Sequence, residues 1–242
     1  MFVIYIKEIR SFLSSLIAYI VIITFLVAIG LFMWVFPDTN VLDLGYANLD
    51  PLFFIAPWVF MFLISAITMR SFADEKRGGT IETLTTSPVS DINIILGKFF
   101  AGVTLVLFSL IPTVVYYFSV SYLANPVGNI DSGAILGSYI GLLMVGSSFV
   151  AIGMFASSVT DNQISAFIIS SLLCFFFYSA FDYLGELTLF ADLDYVISWL
   201  GMYFHYQSIS RGVLDTRDAF YFLSIIVFFI LLTKTVFGSR KW

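Results

Sequence analysis

Apolar runs about 20 residues long recur along the chain, separated by short polar stretches, and none alternates apolar with polar residues as a strand would. A run of that length crosses a bilayer as a helix, and closed barrels need short alternating segments instead. The pattern therefore predicts an all-α integral membrane protein with six transmembrane helices, over about 16–36, 52–69, 99–123, 134–157, 164–183 and 219–237, in one domain covering 1–242. Pro51 stands where the second helix would begin, a position that suits its missing N–H. Pro57 and Pro112 fall inside the second and third spans and predict kinks, because each removes a backbone hydrogen bond. Ahead of the first span, Phe2 to Phe12 mixes aromatic residues with Lys7, Glu8 and Arg10. That mixture predicts a short amphipathic helix lying on the membrane surface. The first span has no A-x-A-like cleavage site, so it is expected to remain as a span.

Composition moves the surface into lipid. Only 11% of the residues are charged and 60% are hydrophobic, against about 25% charged in an ordinary soluble domain. The few basic residues are scattered, so no basic face for nucleic acid can be built. Their distribution does set an orientation. With both termini in the cytoplasm, nine of the eleven Lys and Arg residues lie on or near that side, and only Arg211 and Arg217 lie outside. This is the positive-inside arrangement, and it predicts a multi-pass protein with both termini cytoplasmic. The outer segment, about 185–218, carries Tyr195, Trp199, Tyr203, Phe204 and Tyr206, rings that settle at a membrane interface. It is read as a re-entrant or interfacial element.

Catalytic chemistry is missing. One histidine, His205, cannot make a two-histidine metal site, and no G-x-S-x-G elbow occurs. Gly146-Ser147-Ser148 reads as small residues at a helix contact, and Cys174 as a small buried hydrophobe. No phosphate-cradling loop exists, since Gly97-Lys98 lacks the earlier glycine and is followed by Phe99. The expectation is a chain with no catalytic residue, metal or cofactor that does not hydrolyse ATP itself. Ion-coupled carriers keep ionisable groups near the midplane, yet Asp182, Lys234 and Asp161 all fall at span ends or turns. Energy is expected to come from elsewhere. Gly133, Gly137 and Gly141 form a small-residue stripe for close helix packing, within one subunit or against a second.

Two polar stretches carry the candidate sites. "ADEKRGGTIETLTTSPVS", residues 73–90, lies between the second and third spans in a loop of about 70–98. Gly78-Gly79 should break the descending helix, and Thr80 can cap a new one with Glu82 in its first turn. Ser87-Pro88 would stop that helix after about two turns, and Ser90 offers a cap for the helix after it. Ile81 and Leu84, three apart, would then form an apolar docking knob; a plain polar linker is the other reading. Near the C-terminus, Asp215 lies four residues after Arg211, and Asp215 and Asp218 flank Arg217. Asp215 is placed to cap the last span, with Asp218 in its first turn. Paired charges holding an outer gate and a solvated loop with an ordinary cap both fit.

"FADEKRGGTIETLTTSPVSDINIILGK" resembles the signature of ABC-2 type transporter permeases, through Glu75, Lys76, Arg77, Gly79, Thr80, Ile81, Glu82, Leu84, Pro88, Gly97 and Lys98. The resemblance implies that the loop is a short cytoplasmic coupling helix seated in a cleft of a separate ABC ATPase subunit, where ATP and Mg would be bound. It also implies a second permease subunit, as homodimer or heterodimer; a further membrane subunit is also among the expected partners. "HYQSISRGVLDTRDAFYFLS" is similar to the segment before the last span in gliding-motility-associated permeases and their relatives in copper-enzyme maturation. It opens at His205, which joins Arg211, Asp215, Arg217 and Asp218 as the candidate outer gate. The expected function is the permease subunit of an exporter or membrane-force transducer, with gliding motility as the finer implication. A secondary carrier, an intramembrane enzyme and a non-transporting anchor for a cytoplasmic ATPase are the alternatives.

Overall fold

Apolar runs with few charges leave the backbone no partner but itself in lipid, and every regular element among the described residues is helical. The computed structural model describes residues 1–43, 45–80, 89–185, 194–212 and 215–239, without the side chains of Ile17 and Asp194. Helix α1 (Phe2–Ser14) is amphipathic, and Ser15 leaves it in extended geometry. The chain turns there, so that α1 meets the Ala18–Trp34 part of α2 (Leu16–Trp34) at 68°.

Helix α3 (Asp50–Thr68) starts with Pro51 in its first turn and runs on through Pro57, so the kink expected there does not end the helix. Met69 separates it from α4 (Arg70–Arg77), which stops at Gly78 and Gly79. Gly79 has φ +67°, in the left-handed region that glycine enters at no steric cost. Helix α5 (Asp91–Leu110) passes through a 3-10 turn at Ile111–Thr113, around Pro112, into α6 (Val114–Leu123). Ser90 holds the cap position of α5, but its side chain makes no capping bond, which corrects that expectation. Helix α7 (Ser132–Val159) is capped by Asp131, and α8 (Gln163–Phe175) by Asn162. A π-helical turn, Phe176–Ala180, joins α8 to α9 (Phe181–Gly185). The short helices α10 (Asp194–Trp199) and α11 (Met202–Ser210) precede α12 (Thr216–Gly238).

Five helical stretches, 50–77, 91–123, 132–159, 163–185 and 216–238, are long and apolar enough to cross a bilayer, and the bent pair α1–α2 makes a sixth. Helix α7 stands at the centre, packed against α3, α5, α8, α11 and α12. Its small residues permit this. A Cβ on Gly146 would come within 2.7 Å of Val106, and one on Gly153 would overlap Thr68 Oγ1. Outward faces of α2, α8 and α12 expose Ile23, Val27, Leu172, Phe220 and Leu223, as lipid contact requires. This is a multi-pass membrane protein.

Candidate functional site

The polar groups gather at the two opposite ends of the bundle. At the α4 end, Lys98 stands within the apolar helix α5, and its side chain is only 3% exposed. Its ammonium donates to Glu8 Oε1 at 3.0 Å, Glu75 Oε1 at 2.8 Å and Ser71 O at 2.8 Å. Three donors meet three acceptors, so the buried charge is fully satisfied. The Phe72 ring lies 5.3 Å below it. Lys7 reaches the same two carboxylates, at 3.2 Å from Glu8 and 3.3 Å from Glu75. Burial works against the charged forms of both Lys7 and Glu8, but their partners outweigh it. Lys7 is held above its ordinary value, chiefly by Glu8 and then Glu75, and Glu8 below its own by Lys98 and then Lys7. Glu75 Oε2 is buried with no partner. A cleft of about 250 Å³ opens among these residues, with Arg70 and Asp74 on its wall.

The same knot holds α4 from three sides. Its first N–H groups, Phe72 at 3.0 Å and Ala73 at 3.1 Å, donate to Ser157 Oγ of α7, which itself donates to Met69 O. Ser157 thereby splices the break between α3 and α4. Gln163 at the start of α8 donates to Asp74, and Lys76 donates to Ser158 O. Helix α4 is thus a clamped arm, tied to α1, α5, α7 and α8, and it leads directly into residues 81–88. Of the residues proposed from the sequence, Glu75 lies in the knot. Arg77, Gly79 and Thr80 are exposed at the arm's tip, where Thr80 Oγ1 donates to Glu75 O. Ile81, Glu82, Leu84 and Pro88 lie outside the described residues.

At the far end, Asp215 caps α12 by accepting from Arg217 N at 2.9 Å. This start turns Asp218, in the first turn, into the interior, where it is 5% exposed. Asp218 Oδ1 meets His205 Nδ1 at 2.7 Å, and His205 Nε2 meets Trp199 O at 2.9 Å. A carbonyl can only accept, so Nε2 carries a proton; a second proton lies between Nδ1 and Oδ1. The pair as a unit is therefore neutral, which suits its burial. Asp218 Oδ2 is buried without a partner. The imidazole stacks on Tyr221 at 3.9 Å, and the Tyr221 hydroxyl donates to Leu200 O at 2.6 Å. Helices α10 and α11 are strapped to α12 by these contacts, and to α3 by Tyr206 OH donating to Phe53 O at 2.8 Å.

The charge clasp differs from the one expected. Arg211 and Arg217 are exposed and, among the described residues, make no ion pair. Asp215 Oδ1 accepts from the backbone of its own helix instead. His205 and Asp218 make the clasp instead. The glycine stripe divides likewise. A Cβ on Gly137 would fall 2.9 Å from Ile209 O, and one on Gly141 within 3.1 Å of the Ile209 side chain, so both pack against α11 of the same chain. Gly133 meets only Asp131 beside it. Sequence reasoning missed the Lys98–Glu8–Glu75 knot, although a lysine set into an apolar helix is itself a signal.

Residues 38–241 match the family model described as ABC-2 family transporter protein. The match begins after α1 and α2, and so omits Lys7 and Glu8. Among curated proteins, none matches the chain.

Proposed function

The chain belongs to the ABC-2 family of transporter proteins, and from that premise we propose that it couples ATP hydrolysis in a separate ATPase subunit to export, or to force on the membrane. It is a permease component of an ABC transporter, and its family works with an ABC ATPase. The observation that carries the coupling proposal is the clamped α4 arm. A push on residues 81–88 reaches α1, α5, α7 and α8 through Glu75, Asp74, Lys76 and the Ser157 splice, rather than dissipating in a loose linker. Ile81 and Leu84 supply the docking knob, with Glu82, Arg77, Gly79, Thr80 and Pro88 shaping it. ATP and Mg belong to the partner, since the chain has no phosphate-cradling loop. A second permease subunit faces it across the pathway.

In this reading the α4 end is cytoplasmic, with both termini, and the membrane is a bacterial inner membrane. The outer end is closed by the α10–α11 hairpin, held through His205 and Asp218. The C-terminal segment from His205 supports gliding motility as the finer assignment. The test is purification of the chain alone and with its co-expressed ATPase. Hydrolysis is expected only in the complex, and Leu84→Asp should lose the ATPase while still inserting, because the charge would enter an apolar cleft without a partner. Hydrolysis by the chain alone, or an intact complex with Leu84→Asp, would refute the scheme.

A further inference from the structure

The single histidine of the chain sits where three helices meet. His205 of α11 is buried, and it reaches α10 through Trp199 O, 2.9 Å from Nε2, and α12 through Asp218 Oδ1, 2.7 Å from Nδ1. Each joint needs a proton, so the pair holds two: one on Nε2 and one between Nδ1 and Oδ1. The second of these is all that Asp218 receives among the described residues, because its Oδ2 is buried without a partner. Other groups face the pair from each neighbouring element. Tyr221 of α12 stacks on the imidazole, while Trp199 of α10 and Phe204 of α11 stand edge-on to it. Tyr195 of α10 in turn stands edge-on to Phe204. The π turn sets Tyr178 against Tyr203 of α11, and α9 brings Asp182 beside Gly201, where α11 begins. Helix α7, which also packs on α11, carries Tyr139 as its ionisable residue, bonded to Thr113. Arg211, Asp215 and Arg217 on the flanking turns are exposed.

Proton count decides whether both joints can exist. With one proton removed, a single N–H is left for two acceptors. If it stays on Nε2, the Nδ1 lone pair faces the carboxylate, and Asp218 becomes a buried anion with no donor on either oxygen. If it moves to Nδ1, the Nε2 lone pair faces Trp199 O, and α10 is no longer held. Both outcomes leave a net negative charge in the interior and one acceptor unpaired, which is costly while the hairpin stays shut. Ordinary phenols titrate near pH 10 and carboxyls near pH 4, so the imidazole is the group of this set whose chemistry changes between those limits. We propose that the His205–Asp218 pair is a pH-sensitive latch, which closes the α10–α11 hairpin while the imidazole is charged and releases it as rising pH removes that proton. The latch's role as an outer closure rests on the permease reading; its chemistry rests on the pair alone.

The full chain, with Cys174→Ala, is placed in nanodiscs and spin-labelled at Val196→Cys on α10 and Phe220→Cys on α12, positions 56% and 73% exposed. Pulsed electron resonance on samples frozen between about pH 6 and about pH 9 reads the distance between the labels. In parallel, nitrogen NMR follows the imidazole, which a chain with one histidine reports without overlap. The population with a lengthened distance is expected to rise at least about ten-fold across the range, in step with loss of the imidazole proton. Asp218→Asn should stay closed throughout, because its amide can donate to Nδ1 of a neutral imidazole while Nε2–H still serves Trp199 O. His205→Phe keeps a ring on Tyr221 but neither joint, and should be open at every pH. A distance that stays fixed across the range, or an Asp218→Asn variant that opens together with the unsubstituted pair, overturns the proposal. Co-purification with the ATPase is scored on the same chains. A chain that assembles but holds a fixed distance loses the latch and keeps the permease role, and one that opens with pH but never assembles does the reverse.

Discussion

Lys98 carries the largest single electrostatic commitment among the described residues. Removing one member of a buried, hydrogen-bonded ion cluster leaves the others uncompensated, at about 3–5 kcal/mol. Lys98→Met should therefore lower the denaturation midpoint strongly, because Glu8 and Glu75 would face each other with only the half-exposed Lys7 between them. Adding Glu8→Gln and Glu75→Gln to that variant should recover most of the loss, since no charge then stays buried. A single variant as stable as the wild type would show that the cluster is not a stabilising one. Acid acts at the same place. The carboxyl of Glu8 titrates lower in the folded chain than its free value of 4.5. Its contribution is thus fully present above that value and fades as pH falls through the lower, folded one. Local features at this scale were legible: Asp215 caps its own helix two residues on. The Lys98–Glu8 pair joins residues 90 apart, and no local pattern reports such a contact.

Helices were legible wherever lipid dictates them, since an unbroken apolar run has one backbone solution in a bilayer. Their breaks were less so. The turn at Gly78 and Gly79 follows from glycine, but the interruption at Met69 contains neither glycine nor proline and depends on Ser157 from a distant helix. The π turn at Phe176–Ala180 is likewise written in tertiary packing, around Tyr178, and not in its own five residues. Small residues inside α7 were visible as a stripe, whereas their partners were not. Gly153 gives the sharpest consequence. A methyl there would overlap Thr68, a β-branched residue whose hydroxyl is already committed to Ile64 O at 2.8 Å. With a stiff χ1 it has little room to turn away. Gly153→Ala is expected to push α3 from α7 and cost about 1–3 kcal/mol, the usual range for overpacking. Pairing it with Thr68→Ala should recover only part of the thermal midpoint, because the Thr68 Cβ at 2.8 Å and Ser170 Oγ at 3.0 Å remain in the way; no recovery at all would place the clash elsewhere.

The whole molecule is polarised along the bundle. Lys7, Arg70, Lys76, Arg77 and Lys98 sit at the α4 end, while Asp50, Asp131, Asp182 and Asp218 mark the other, with Arg211 and Arg217 as its basic residues. Basic residues stay on the cytoplasmic side during insertion, so the proposed coupling requires the α4 arm on that side and the α11 end on the other. Every functional step proposed above depends on that placement, so orientation is the most economical thing to measure. Cys174 is buried and can be replaced by alanine to give a cysteine-free chain. Val127, 70% exposed in the turn between α6 and α7, and Thr80, exposed at the arm's tip, then serve as single reporters. An impermeant maleimide should label Val127→Cys in intact cells and reach Thr80→Cys only after the membrane is opened. The two sites lie at opposite ends of one packed bundle, so the chain cannot satisfy both outcomes by a local rearrangement. The reverse pattern would put residues 81–88 outside, away from any ATPase, and would end the coupling proposal at once.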